Sequence, residues 1–331
     1  MEGKTAEHVY HGLAGLFIVK DPQNESALPN QYGKDDIPLI IQDKIFNSDG
    51  SFNYPGTHMG VKGDQFLVNG AVTPVFDAPA QLVRFRLLNG SNARIYNFGF
   101  SDNRQFHQIS TDGGLLERPV PLTRLRLSTG ERAEILVDFS GEENNHVRLV
   151  SFSSDLHNIN PIWNSNALDG STFDIMTIDV MGATANLITA LPASLATIIR
   201  LQEGQSAVTR PFVLEMGFSG PMKINGKSMD MNRIDETVKL NDTETWEVIN
   251  HSDLSHPFHV LDVQFLILTR DGSPPAENES GWKDTVLVMP RETVRIITHF
   301  SDFSDPDNPY MFHCHILEHE DAGMMGRFVV V

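Results

Sequence analysis

Cysteine is almost absent from this 331-residue chain. There is one, Cys314, so no internal disulfide can form and a disulfide-stapled scaffold is excluded. Positive charge is scarce as well: 25 Lys and Arg stand against 43 Asp and Glu, for a net charge of −18. That balance excludes a nucleic-acid partner, whose affinity comes from phosphates meeting basic side chains, and docking on an anionic membrane surface. No apolar run reaches the ~20 residues of a membrane-crossing helix. The start, Met1-Glu2-Gly3-Lys4-Thr5, lacks the apolar core of a secretory signal, which leaves the compartment unassigned. No GxSxG elbow occurs, and the Gly-Lys pairs at Gly3, Gly33 and Gly226 lack the phosphate-loop pattern, so serine hydrolysis and nucleotide binding have no support.

Long helical periodicity is missing too. The nearest approach, Leu187–Leu201, is broken by Pro192. What is present is a succession of short runs that alternate apolar with polar or are dense in Val, Ile and Phe. They include Leu13–Val19, Ile37–Gln42, Leu82–Leu88, Ala133–Phe139, Val147–Phe152, Phe173–Val180, Thr245–Ile249, Phe265–Thr269, Thr293–His299 and Arg327–Val331. Clusters of Gly, Pro, Asn and Asp separate them, among them the hairpin signal Asn47-Ser48-Asp49-Gly50. This pattern predicts an all-β protein of Greek-key sandwiches. Residues 37–181 read as one sandwich and 211–331 as a second, joined by a linker at 182–210. Residues 1–36 are too few for a core of their own and read as a strand and a loop left from something larger.

The chemistry concentrates at the C-terminus, in His313-Cys314-His315-Ile316-Leu317-Glu318-His319-Glu320-Asp321-Ala322-Gly323-Met324, with His256-Pro257-Phe258-His259 upstream. Two imidazoles and a thiolate with a weak axial thioether make a blue-copper site. His256, Cys314 and His319 are the expected equatorial ligands and Met324 the axial one. Thiolate and thioether favour Cu(I), and imidazole serves both oxidation states. If Cys314 ends a strand, His313 and His315 point to the opposite side from it, because side chains alternate along a strand. They can then serve a second metal centre while joined covalently to the first, which is an electron path. His58, Met59, His107, His146 and His157 are scattered singly and read as structural or surface residues, and His299, in an alternating strand, as partly buried.

On these motifs the chain resembles the multicopper oxidase family, in particular bacterial laccase-like members and the copper-resistance cuprous oxidases. Further segments carry the likeness: Gly12–Leu16, Asp36-Ile37-Pro38, Leu87–Gly90 with Asn92–Arg94, Ser110–Gly114, Gly130–Arg132, Ile224–Gly226 and Gly281–Thr285. The resemblance covers essentially the whole chain. It implies cupredoxin-like domains, a type 1 copper that takes electrons from a small-molecule reductant, and a trinuclear copper cluster that reduces dioxygen to water. By resemblance, His256, Cys314, His319 and Met324 hold type 1 copper, His259 is a type 2 ligand, and His313 and His315 are type 3 ligands. Glu320 matches the acidic residue that passes protons to the cluster. Family members are mostly extracytoplasmic.

Two departures matter. The two HxH motifs of the family's first domain have no counterpart, so the chain looks like a member lacking most of that domain, with residues 1–36 its remnant. His8 and His11 stand near that place and read as surface residues. Second, the HPxHxH motif ends in Leu261 where the family has histidine, and leucine cannot bind copper. Three of the family's eight cluster histidines remain. The expectation is a complete type 1 site with oxygen reduction impaired. Met216, Met222, Met229 and Met231 form no methionine run and read as core residues, which favours phenols or aromatic amines over Cu(I) as reductant. The competing expectations are a one-electron carrier and a non-catalytic interaction protein on the same fold. An unpartnered strand near residues 8–21 and uncovered sandwich faces predict dimerisation or aggregation.

Overall fold

The computed structural model describes residues 3–23, 25–157, 159, 166–185, 187–216 and 222–331. The short β-dense runs become strands of four sheets, packed as two sandwiches. In the first, a seven-stranded sheet is built on Asp36–Lys44, Leu82–Asn89, Arg132–Asp138 and Phe106–Thr111, and it faces a five-stranded sheet built on Thr172–Met181, His146–Phe152 and Tyr96–Phe100. In the second, a sheet centred on Ser206–Met216, Thr243–Asn250 and Thr293–His299 faces one centred on Met325–Val330, Asp305–Cys314 and His256–Val260. Each sheet contains one parallel pair, such as Asp36–Lys44 with Leu82–Asn89 and Ser206–Met216 with Thr243–Asn250; neighbouring strands otherwise run antiparallel. The two sandwiches thus repeat one topology, crossing from sheet to sheet as Greek keys do.

Apolar alternation explains the layers. Ile37, Leu39 and Ile41 point inward with Phe85, Leu87, Ile135 and Val137 to make the first core. The second core is aromatic: Phe212 lies 4.3 Å from Trp246 and 4.8 Å from Phe312, ring centre to ring centre, and Cys314 and Met324 belong to the same cluster. The Asn47–Gly50 signal closes a tight turn, with Gly50 at φ +85° and its N–H on the Asn47 carbonyl at 3.0 Å. The outer face of the seven-stranded sheet is covered by residues far apart in sequence. Leu195, from the irregular stretch after the first sandwich, packs with Leu28, Leu82, Ile109 and Leu116.

One expectation fails. Residues 8–21 do not form a strand. Thr5–Tyr10 is a short helix, α1, and residues 13–19 are extended but belong to no sheet. A strand is defined by its partner, and among the described residues none lies alongside. Helix α1 packs on a second short helix, α2 (Leu317–Asp321), where the Asp321 carboxylate accepts from the Thr5 and Ala6 N–H groups, each at 2.9 Å.

Candidate metal centres

Two antiparallel strands set out both sites. His256–Val260 pairs with the end of Asp305–Cys314 so that Phe258 stands opposite Cys314 and His259 opposite His313. Beyond Cys314 the chain turns into α2, which returns His319 beneath the thiol, and Met324 follows. The Cys314 N–H donates to the Met324 carbonyl at 3.0 Å, and the Met324 N–H to the His319 carbonyl at 2.9 Å.

The result is a compact triangle. Cys314 Sγ lies 3.5 Å from His256 Nδ1 and 3.6 Å from His319 Nδ1, and the two Nδ1 atoms are 3.2 Å apart. A point equidistant from the three is about 2 Å from each, the length of a metal–imidazole bond. All three residues, and Met324, are 0% exposed. Burial pushes the Cys314 thiol well up, His256 down to about 3, and His319 well below its ordinary range, the last aided by His256 and His58. A neutral thiol and two neutral imidazoles crowded this closely, with no charge among them, fit a cation that takes the place of the thiol proton. Ser252 Oγ lies 2.7 Å from His256 Nε2 and orients that ring, leaving Nδ1 for the site. His319 Nε2 is buried with no hydrogen-bond partner among the described residues.

His313 and His315 project to the other side of the strand and meet His259. The ring centres are 5.2 Å apart for His259–His313, 5.6 Å for His259–His315 and 5.6 Å for His313–His315. The Nδ1 atoms of His259 and His313 face main-chain carbonyls, those of Asp284 at 2.9 Å and Cys314 at 3.0 Å. Each therefore carries its proton on Nδ1 and turns Nε2 to the cluster. His315 Nδ1 is buried without a partner among the described residues. Gly130 makes room for that ring: a Cβ there would stand 2.5 Å from His315 Cδ2. Burial, helped by His259, lowers His315 to about 4. Glu320 places a carboxylate oxygen 3.4 Å from His313 Nδ1, and its own burial raises it to about 7.

The structure thus brings together the residues of each group that the sequence offers as ligands. Leu261 lies just beyond the strand, its N–H on the Met311 carbonyl, and offers no donor atom. His11 is exposed; His8 is half-buried, its Nδ1 enclosed without a partner among the described residues. Of the four methionines assigned to the core, Met222 is buried, Met216 and Met229 are half-buried, and Met231 is exposed. Sequence reasoning missed the residues that hold the ligands. Asp284 lies 3.5 Å from His259 Nδ1, and Arg132 of the first sandwich grips it with two bonds of 2.6 Å. Burial works to raise Asp284, but hydrogen bonds from His259 and Arg132 overcome it and hold the carboxylate far below its usual range. Both residues stand in segments that carried the family likeness, which was the one signal for them. Ser252 had none.

Comparison with known proteins gives a consistent result. Family models described as multicopper oxidase match residues 18–167 and 191–331. The multicopper oxidase mco of Staphylococcus haemolyticus is 37% identical over 332 residues, covering 98% of this chain and 65% of that protein. The cell division protein FtsP of Dickeya dadantii is 37% identical over 329 residues, covering 98% of this chain and 68% of that one. Among solved structures, a bacterial laccase-like multicopper oxidase, CueO of an Ochrobactrum species, is similar with a TM-score of 0.89 at 35% identity, covering 100% of this chain and 75% of its own. The chain therefore spans about two thirds of the length of these curated relatives, 65% and 68%.

Proposed function

This chain belongs to the multicopper oxidase family, whose cofactor is copper, and on that premise we propose that it is a laccase-like copper oxidoreductase with a complete type 1 site and a depleted oxygen-reducing site. His256, Cys314 and His319 would hold type 1 copper with Met324 as axial ligand. The observation that carries this reading is the buried Nδ1–Sγ–Nδ1 triangle with sides of 3.2–3.6 Å. When bound, copper supplies one-electron redox chemistry that no side chain here provides. The protein contributes the rest. Ser252 orients His256, the aromatic core behind Cys314 excludes water, and the peptide joining Cys314 to His313 and His315 links the two sites through bonds.

His259 is assigned to type 2 copper and His313 and His315 to type 3 copper. Glu320, buried beside His313 with its proton affinity raised towards neutrality, is assigned to hold and pass protons there. Three histidines with Leu261 at a fourth position support weak or absent four-electron oxygen reduction by this 331-residue chain. Phenols or aromatic amines are the proposed reductants, with dioxygen as oxidant. The structurally similar Ochrobactrum enzyme is described as having oxidase activity towards lignin model compounds, and this chain has no methionine run to collect Cu(I).

Copper quantification with visible and paramagnetic spectra tests the reading. The expected result is one blue copper per chain and no type 2 signal; a stoichiometry near four overturns the depleted-site assignment. Oxygen uptake with a phenolic donor separates a weak oxidase from a pure one-electron carrier on the same fold. A second reading, a non-catalytic interaction protein, draws on Leu261 and on the likeness to a protein named for cell division. A colourless protein that binds no copper would establish it over the first.

A further inference from the structure

Cys314 and His319 are joined by residues 315–318, and the first sandwich touches every one of them. The Thr129 hydroxyl donates to the His315 carbonyl at 2.6 Å. Gly60 lies against Ile316: a Cβ there would stand 3.1 Å from the Ile316 Cγ2 and 2.5 Å from the Ala93 Cβ. The Leu317 N–H donates to the Asn92 carbonyl at 3.1 Å. Glu318 Oε1 accepts from the Asn92 amide at 2.8 Å and from the Tyr54 hydroxyl at 3.3 Å. The same amide also reaches the Ala6 carbonyl of α1, at 3.0 Å. Ala93, next to Asn92, belongs to the core of the second sandwich together with Cys314, Ile316 and Met324.

The sides of the Nδ1–Sγ–Nδ1 triangle are held in different ways. His256 and Cys314 stand on paired strands of one sheet, so the ladder between them fixes their separation. His319 stands on α2, a helix of five residues, too short to be stable by itself. A helix leaves its first N–H groups without partners, and Ile316, at the N-terminal cap of α2, has no side-chain acceptor to offer them. The Asn92 carbonyl takes the first of these N–H groups, while the Asn92 amide grips the Glu318 carboxylate in the same turn. Asn92 is 1% exposed and Glu318 4%, so water has no room to take over either bond. A residue of one sandwich thereby clamps the ligand-bearing helix of the other. On the type 1 reading given above, we propose that Asn92 is a positioning residue of the copper site, setting the distance of His319 from Cys314 across the boundary between the sandwiches. The first sandwich supplies no ligand to that site, yet it fixes the geometry there.

Spectra of the copper-loaded 331-residue chain test the proposal. In Asn92→Ala the thiolate-to-copper charge-transfer bands should change in relative intensity and the copper hyperfine splitting should shift, with retention against a chelator about tenfold weaker. In the copper-free chain, hydrogen exchange of the Leu317 N–H should quicken by about tenfold, while the strand His256–Val260 keeps its protection. Glu318→Gln keeps an acceptor for the Asn92 amide and should give the parent's spectrum. Arg118→Ala cuts a different bond between the two sandwiches, to Glu277 at 2.7 Å, and should leave the spectrum unchanged as well. If Asn92→Ala does not fold, Glu318→Leu cuts the same side-chain bond from its other end, and the same outcomes are read on it. A parent chain that stays colourless with copper overturns the type 1 reading and this proposal with it. A blue parent whose spectrum is unchanged in Asn92→Ala and in Glu318→Leu, or shifts equally in Arg118→Ala, overturns this proposal alone.

Discussion

At the scale of single residues, a ligand is only as good as the group that orients it. Ser252 Oγ holds the far nitrogen of His256 at 2.7 Å. Ser252→Ala should therefore weaken copper binding by about ten- to a hundredfold, read by competition with a chelator, while changing the melting temperature little. Lys44 presents the opposite case, a polar group with no such companion. It is 1% exposed, and among the described residues its Nζ has no hydrogen-bond partner, only the ring centres of Tyr10 at 4.3 Å and Phe52 at 5.8 Å. Burial lowers its pKa from 10.5 to about 8. Below pH 8 the lysine is charged in both folded and unfolded chains, so the cost of burying it is fully present. Between pH 8 and 10.5 the folded chain sheds the proton first, and stability rises with pH. Lys44→Met should accordingly gain about 2–3 kcal/mol at pH 7, a gain that shrinks towards pH 10.5 in urea unfolding. Residues of this kind are hard to read from sequence. His313, Cys314 and His315 announce their opposed directions by adjacency alone, whereas Ser252 and Lys44 acquire their roles from what lies beside them in space.

At the scale of elements, alternation marked strands well and partners poorly. Phe173–Val180 and Thr293–His299 fall within strands because each has neighbours to bond, through His146–Phe152 for the first and through Thr243–Asn250 for the second. Leu13–Val19 has the same period but, among the described residues, no neighbouring strand, so it stays outside every described sheet. The helix before it went unread because six residues carry too little periodicity to register, and its stability comes from tertiary contacts. Asp321 supplies one such contact and Tyr10 another: the Tyr10 hydroxyl accepts from the Ile45 N–H at 2.6 Å and donates to the Asn53 carbonyl at 2.9 Å. Asp321→Ala should free the first turn alone. Hydrogen exchange at residues 5–8 is expected to quicken by tenfold or more, while the residues around Tyr10 keep their protection; equal loosening of the whole segment would show that the tyrosine anchor contributes nothing.

At the scale of the whole molecule, the two sandwiches are joined by charge as well as by packing. Lys283 of the second, buried, lies 3.0 Å from Asp112 and 3.1 Å from Glu131 of the first, and Arg132 crosses the same boundary to Asp284. Lys283→Met would leave buried Glu131 without its cation and Asp112 with Arg132 alone, at 3.7 Å, and should cost about 3–5 kcal/mol in urea unfolding, partly restored by adding Glu131→Gln. The segments Gly130–Arg132 and Gly281–Thr285 were visible in sequence as family features, but their meeting across 150 residues was not. The enclosure of the proposed type 1 site has a further consequence, one of timing. His256, Cys314, His319 and Met324 are each 0% exposed, so an ion arriving at the finished fold finds no open route to them. Uptake by the folded chain then waits on local opening, and its rate should level off as copper concentration rises. Copper present while the chain refolds should instead be captured as the strand Asp305–Cys314 and α2 close around it. The order in which folding and metal arrive, more than affinity, would decide how much of the protein is loaded.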